Sequence, residues 1–87
     1  MLHFALTMIF ALMLPAQQVV DLSDQFKRAV ALQQQGQFSE AADEYRAVLK
    51  RKPDYIEAQA NLGVVLARLG KYDDAIQAYE VAYKLAP

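Results

Sequence analysis

Hydrophobic residues recur at helical spacing in four stretches of the chain, and each stretch is followed by a residue that ends helices. The first stretch runs from Leu22 to Gln35, and the second ends at about Arg51. Because residues three and four apart share one face of a helix, the pattern predicts amphipathic helices and no strands. Glycine accepts the left-handed turn at a helix end and proline cannot continue a helix. The four terminating residues are Gly36, Pro53, Gly70 and Pro87.

Short polar side chains near the predicted helix starts suggest how these helices are capped. Ser39 and Asp73 occupy equivalent places before the second and fourth helices. Asp54, with Glu57 three residues later, has the pattern of a capping box before the third. We therefore expect the oxygens of Ser39, Asp54 and Asp73 to accept hydrogen bonds from free backbone N–H groups.

The second half of the pattern repeats the first at an offset of 34 residues, the period of a helix-turn-helix solenoid. Small residues are expected where helices cross, because they let the backbones approach; these are Ala29, Ala41, Gly63 and Ala75. Tyr45 and Tyr79 are expected to fill space between neighbouring units. Residues 20–53 and 54–87 are identical at eight positions: Gln25/Gln59, Val30/Val64, Leu32/Leu66, Gly36/Gly70, Ala41/Ala75, Tyr45/Tyr79, Lys50/Lys84 and Pro53/Pro87.

At these positions the chain resembles the tetratricopeptide repeat family. The residues that carry the resemblance lie in the second unit: Leu62, Gly63, Leu66, Gly70, Tyr72, Ala75, Tyr79, Ala82 and Pro87. The resemblance implies an all-α solenoid of two helix-turn-helix repeats, with units at about 22–55 and 56–87. It also implies an interaction scaffold without catalysis of its own, whose concave groove is lined by the first helix of each unit.

The family geometry implies a groove that combines apolar contacts with hydrogen-bonding groups. Some members bind a peptide's C-terminal carboxylate through Lys and Asn, but here only Asn61 matches, while Phe26 and Val30 stand where Lys and Asn would be needed. The groove therefore suits a protein or peptide with apolar anchors better than an acidic tail. Phe26 and Val30 have an alternative role as residues buried against a neighbour. The candidate groove residues are Phe26, Val30, Gln33, Gln34, Ala60, Asn61, Val64 and Arg68.

Residues 1–16 differ from the rest of the chain, because they contain no Asp, Glu, Lys or Arg. An 11-residue apolar run ends at Leu14, before Pro15 and Ala16. A membrane span needs about 20 apolar residues, so this run favours a signal peptide cleaved after Ala16. We then expect residues 17–21 to form a linker to the module at 22–87, and the protein to be exported to the periplasm or outside the cell. The alternatives are an uncleaved membrane anchor and a buried N-terminal helix.

Composition and charge argue against several classes of function. The chain has a formal net charge of −1, no cysteine and one histidine, His3, in the leader. Binding to nucleic acid rests on several contacts between Lys or Arg side chains and phosphate groups. Most metal-binding sites and acid–base catalytic sites use His or Cys side chains. We therefore expect no nucleic-acid partner, no metal, no cofactor and no enzymatic activity. The alternatives are the N-terminal part of a longer secreted enzyme or carrier, and a membrane-tethered assembly factor.

Two repeats are few for a solenoid, since each unit buries its apolar face on its neighbours. Apolar surface is expected to stay open on the last helix, at Tyr79, Val81, Ala82, Tyr83 and Leu85. The sequence thus predicts that the isolated segment self-associates or is loosely folded, and that further repeats follow Pro87.

Overall fold

The computed structural model describes residues 20–87, and within them the chain forms four α-helices and no strand. The predicted leader and residues 17–19 of the predicted linker lie outside the described residues. None of the helices in residues 20–87 is both long and apolar enough to cross a membrane. For residues 20–87, the prediction of an all-α fold with four helices is confirmed. The helices are α1 (Leu22–Gln34), α2 (Phe38–Arg51), α3 (Ile56–Arg68) and α4 (Tyr72–Leu85).

Each helix packs on the next one along the chain, so α2 and α3 form the centre. The small residues predicted at the crossings are all buried: Ala29, Ala41, Gly63 and Ala75. Small side chains let helices approach closely, and a few large ones fill the remaining space. The largest fully buried side chains are Tyr45, Leu66, Val48 and Val65.

Gly36 and Gly70 end α1 and α3 in the same way. Both have a positive φ, of 79° and 78°, which costs a residue with a Cβ but not glycine. The N–H of Gln37 donates to the Leu32 carbonyl and that of Gly36 to the Gln33 carbonyl. The same pair of bonds recurs at Gly70, so both turns are Schellman motifs. The predicted role of the two glycines is confirmed.

The predicted helix caps are wrong. Helices α2 and α4 begin at Phe38 and Tyr72, so Ser39 and Asp73 lie inside the first turn and make no capping hydrogen bond. Asp54 lies one residue before the N-cap of α3, where no side chain caps either. The N-cap positions are occupied instead by Gln37, Tyr55 and Lys71, whose side chains make no capping hydrogen bond.

Asp21 caps α1 instead, because its Oδ1 accepts a hydrogen bond from the Ser23 N–H at 3.1 Å. The segment before α1 is also held from the far end of α2. The guanidinium of Arg51 donates to the Val20 carbonyl at 2.8 Å and to Gln25 Oε1 at 3.0 Å. The start of α1 and the end of α2 are thus joined by one side chain.

Most of the apolar surface predicted on α4 is open. Tyr79, Val81, Tyr83 and Leu85 are between 36% and 83% exposed. Ala82 is an exception, since it is 8% exposed. Its place on the helix explains the error, because it follows the buried Ala75 and Ala78 at helical spacing and shares their face.

Candidate functional site

The buried hydroxyl of Tyr45 connects the first helices of the two units. It donates a hydrogen bond to Oε1 of Gln33 on α1, at 2.5 Å, and the side chain of Asn61 on α3 lies beside it. Burial raises the pKa of Tyr45 above its usual 10, and the hydrogen bond from Asn61 opposes part of that rise. Two of the predicted groove residues, Gln33 and Asn61, are therefore brought together by a residue of α2.

Phe26 is half-buried in a small aromatic cluster. Its ring stacks on that of Tyr55 with 4.8 Å between centroids, and it is tilted against Tyr45 at 6.0 Å. The ammonium group of Lys52 lies 5.0 Å from the centre of the Tyr55 ring. Phe26 therefore contacts the segment between α2 and α3 and still keeps part of its surface open.

Arg68 lies in the last turn of α3 and is exposed. Its guanidinium is 4.8 Å from the centre of the Phe38 ring, at the start of α2. This distance is typical of a cation–π contact, which at an exposed site is worth about 0.5–1 kcal/mol. The one charged residue among the eight candidates is thus held at the end of the helix by an aromatic ring.

The other candidates differ in exposure. Val30 and Ala60 are partly buried, and Val30 packs on the core. Gln34 is exposed, and Val64 is 37% exposed. The accessible parts of the eight residues are therefore apolar side chains of α1 and α3, amide groups and one guanidinium.

Two residues that support the candidate groove were not among the predicted ones. Tyr55 stacks on Phe26, and Phe38 lies under Arg68. The comparison of the two repeats does not single out Tyr55, because the residue 34 positions earlier is Asp21. Phe38 has an aromatic counterpart, Tyr72, and that match could have suggested a shared packing role.

Two clefts lie elsewhere on the surface of the described residues. One, of about 320 Å³, has a floor of Leu62 and Leu66 between α2, α3 and α4. The other, of about 300 Å³, lies on α4 alone. Within residues 20–87 no group of three His, Cys, Asp or Glu side chains could hold a metal ion.

Comparison with known proteins gives a family and a fold. A family model described as "Tetratricopeptide repeat" matches residues 26–87. Among solved structures, a mutant of MamA is similar with a TM-score of 0.75 and 22% sequence identity. The match covers 78% of this chain and 50% of that one, so this chain spans about half the length of the MamA chain. No curated protein sequence matches.

Proposed function

We propose that this chain, which belongs to the tetratricopeptide repeat family, binds a peptide segment of a partner protein across α1 and α3. A solenoid of this family supports a role as a protein-interaction scaffold. The observation that supports this site is the Tyr45 hydroxyl, which holds Gln33 of α1 by a hydrogen bond and lies beside Asn61 of α3. Fixed side chains lose little conformational freedom when a ligand binds, so their hydrogen bonds cost less entropy.

The hydrogen-bonding groups of this surface suit a peptide main chain. Gln33 uses its Oε1 to accept from Tyr45, so its NH₂ group remains a donor for a peptide carbonyl. Asn61 offers a donor and an acceptor on the other unit. An extended or helical segment presents such carbonyl and N–H groups, and side-chain amides can pair with them without a charge on the ligand.

The apolar groups supply the anchor positions. Val64 is 37% exposed and Phe26 is half-buried, with Val30 and Ala60 also partly accessible. Binding energy usually concentrates in a few aromatic or Arg residues, and Phe26 is the aromatic residue of this set. An acidic tail fits less well, because Arg68 is the single cation among the eight and is already placed over Phe38.

Selection from a library of random peptides tests this proposal, with the chain immobilised through an engineered tag. The selected peptides should carry apolar anchors. Phe26→Ala should weaken the binding of these peptides more than about fivefold, the equivalent of about 1 kcal/mol on the hot-spot scale. Lys50→Ala, on an exposed site of α2, should have little effect. Since Phe26 also packs on Tyr55, circular dichroism must show that helicity is retained. Equal affinity for Phe26→Ala and the parent would show that the binding site does not include this part of α1.

The proposal places the binding module outside the cytoplasm, with Ala16 as the last residue of the cleaved leader. The support is the uncharged apolar run before Pro15 in the sequence. The intact mass of the exported protein tests this, and it should correspond to a chain that starts at Gln17. Retention of residues 1–16 in a membrane fraction would instead support the membrane-tethered alternative.

A further inference from the structure

Helix α4 carries an exposed stripe of large apolar side chains on one face. The residues are Tyr72, Ile76, Tyr79 and Tyr83, which are 66%, 53%, 42% and 83% exposed. Their spacing of four, three and four residues is that of the seam along which two helices pack in a coiled coil. The stripe is separate from the candidate groove on α1 and α3.

The equivalent face of α2 is covered by another helix of the chain. Counting back 34 residues from the stripe gives Phe38, Ala42, Tyr45 and Leu49. On α2 these positions are buried or partly buried, and α3 packs against the helix. On α4 the equivalent face has no covering helix within residues 20–87, and alanine is replaced there by the larger isoleucine.

The stripe also contains a depression of the kind that receives a side chain from a facing helix. The cleft of about 300 Å³ on α4 is lined by Ile76, Tyr79, Glu80, Tyr83 and Lys84. Residues 76, 79, 80 and 83 have the spacing of the four residues that form a hole in knobs-into-holes packing. One helix thus supplies both the knobs and the hole, which is the self-complementarity that a two-fold interface requires.

The charges on α4 select the direction of such a pair. Asp73 and Asp74 lie in the first turn and Lys84 lies in the last. An antiparallel arrangement brings the acidic end of one helix to the basic end of the other, whereas a parallel arrangement brings like charges together. The helix dipoles favour the same antiparallel direction.

We propose that the α4 face binds a second copy of this chain, with the two α4 helices antiparallel about a two-fold axis. In the register that pairs all four stripe residues, Tyr72 lies beside Tyr83 of the second copy, and Ile76 lies beside Tyr79. At 150–250 Å² for a whole aromatic side chain, the open parts of the four residues provide roughly 450 Å² per copy. That is more than half of the about 800 Å² that each partner buries in a standard interface.

Cysteine cross-linking tests the register, because residues 1–87 contain no cysteine. The full chain, in the form isolated from the expressing cell, is prepared as two variants, Tyr72→Cys and Tyr83→Cys. Mixing them under mild oxidation should give the mixed disulfide. Each variant alone should not cross-link, because the two identical positions would lie about 16 Å apart along the axis, beyond the reach of a disulfide. Cross-linking of each variant with itself, or no cross-linking at all, would overturn the proposal.

Charge reversal gives a second test that leaves the apolar stripe intact. Lys84→Glu places a negative charge near Asp73 of the second copy, and the two-fold axis makes this happen at two sites. The dimer dissociation constant, measured by sedimentation equilibrium, should therefore rise about tenfold. Adding Asp73→Lys should reverse most of this loss. The matched control is Lys50→Glu, at the equivalent site of the first unit, which should change the constant less than about twofold. A monomer at all concentrations, or equal effects of Lys84→Glu and Lys50→Glu, would refute the arrangement.

Discussion

The ring of Tyr79 lies directly against Gly63, where a Cβ would stand 2.7 Å from Cε1 and 2.8 Å from Cδ1 of the ring. A residue with a Cβ at position 63 would therefore require the Tyr79 ring to shift. The equivalent pair in the first unit is Ala29 and Tyr45, both fully buried. Tyr79 is 42% exposed, so its ring has room to move away from α3.

Gly63→Ala should destabilise the chain by about 1 kcal/mol. Alanine gains about 1 kcal/mol of helix propensity over glycine, but overpacking against a ring costs about 1–3 kcal/mol. Urea unfolding monitored by circular dichroism measures the difference. Repeating the substitution in a Tyr79→Ala background removes the clash, and there Gly63→Ala should stabilise the chain. Stabilisation in the parent as well would show that the contact is not tight.

Gly36→Ala should also lower stability, for a different reason. Nothing lies within 4 Å of a Cβ at this position, so the whole cost is that of a positive φ, about 1–2 kcal/mol. Gly36→Asn should lose less, because asparagine tolerates this conformation better than alanine. Thermal unfolding of both variants measures this order. Equal losses would indicate that the conformation at residue 36 is not the cause.

Tyr45→Phe should destabilise the chain by about 1 kcal/mol at neutral pH, since it leaves the Gln33 side chain without its hydrogen-bond donor. The pKa of Tyr45 is raised, so the folded chain holds this proton more tightly than the unfolded chain. Its contribution to stability is then complete below pH 10 and is lost as the pH rises through the folded pKa. Unfolding at several pH values above 10 should show a smaller decline for Tyr45→Phe than for the parent. An identical decline would show that the Tyr45 hydroxyl is exposed to water in the folded chain.

The helices and their ends were largely predictable from the sequence, because periodicity and the glycines act locally. Gly36 and Gly70 end their helices as predicted. The starts were not predictable, because the N-cap positions of α2, α3 and α4 are occupied by Gln37, Tyr55 and Lys71, whose side chains make no capping hydrogen bond. A polar residue such as Ser39 then lies inside the helix instead of before it.

Contacts between residues far apart in the sequence were harder to predict. Tyr55 and Arg51 have no similar residue one repeat away, their counterparts being Asp21 and Leu85. Their partners, Phe26 and the Val20 carbonyl, are distant in sequence and are brought close by the packing of α1 on α2. The eight groove residues on α1 and α3 stay a prediction, since their assignment to a binding groove rests on the family geometry.

The most direct test of the binding site compares two valines with the same exposure on different surfaces. Val64 on α3 is 37% exposed and Val81 on α4 is 39% exposed. Val64→Asp and Val81→Asp add the same charge in a helix interior, so their effects on helix propensity are matched. Calorimetric titration with a selected peptide should show at least about tenfold weaker binding for Val64→Asp, because a charge is buried unpaired. It should show little change for Val81→Asp. Unchanged affinity for Val64→Asp, with a loss for Val81→Asp, would contradict a binding site on α1 and α3.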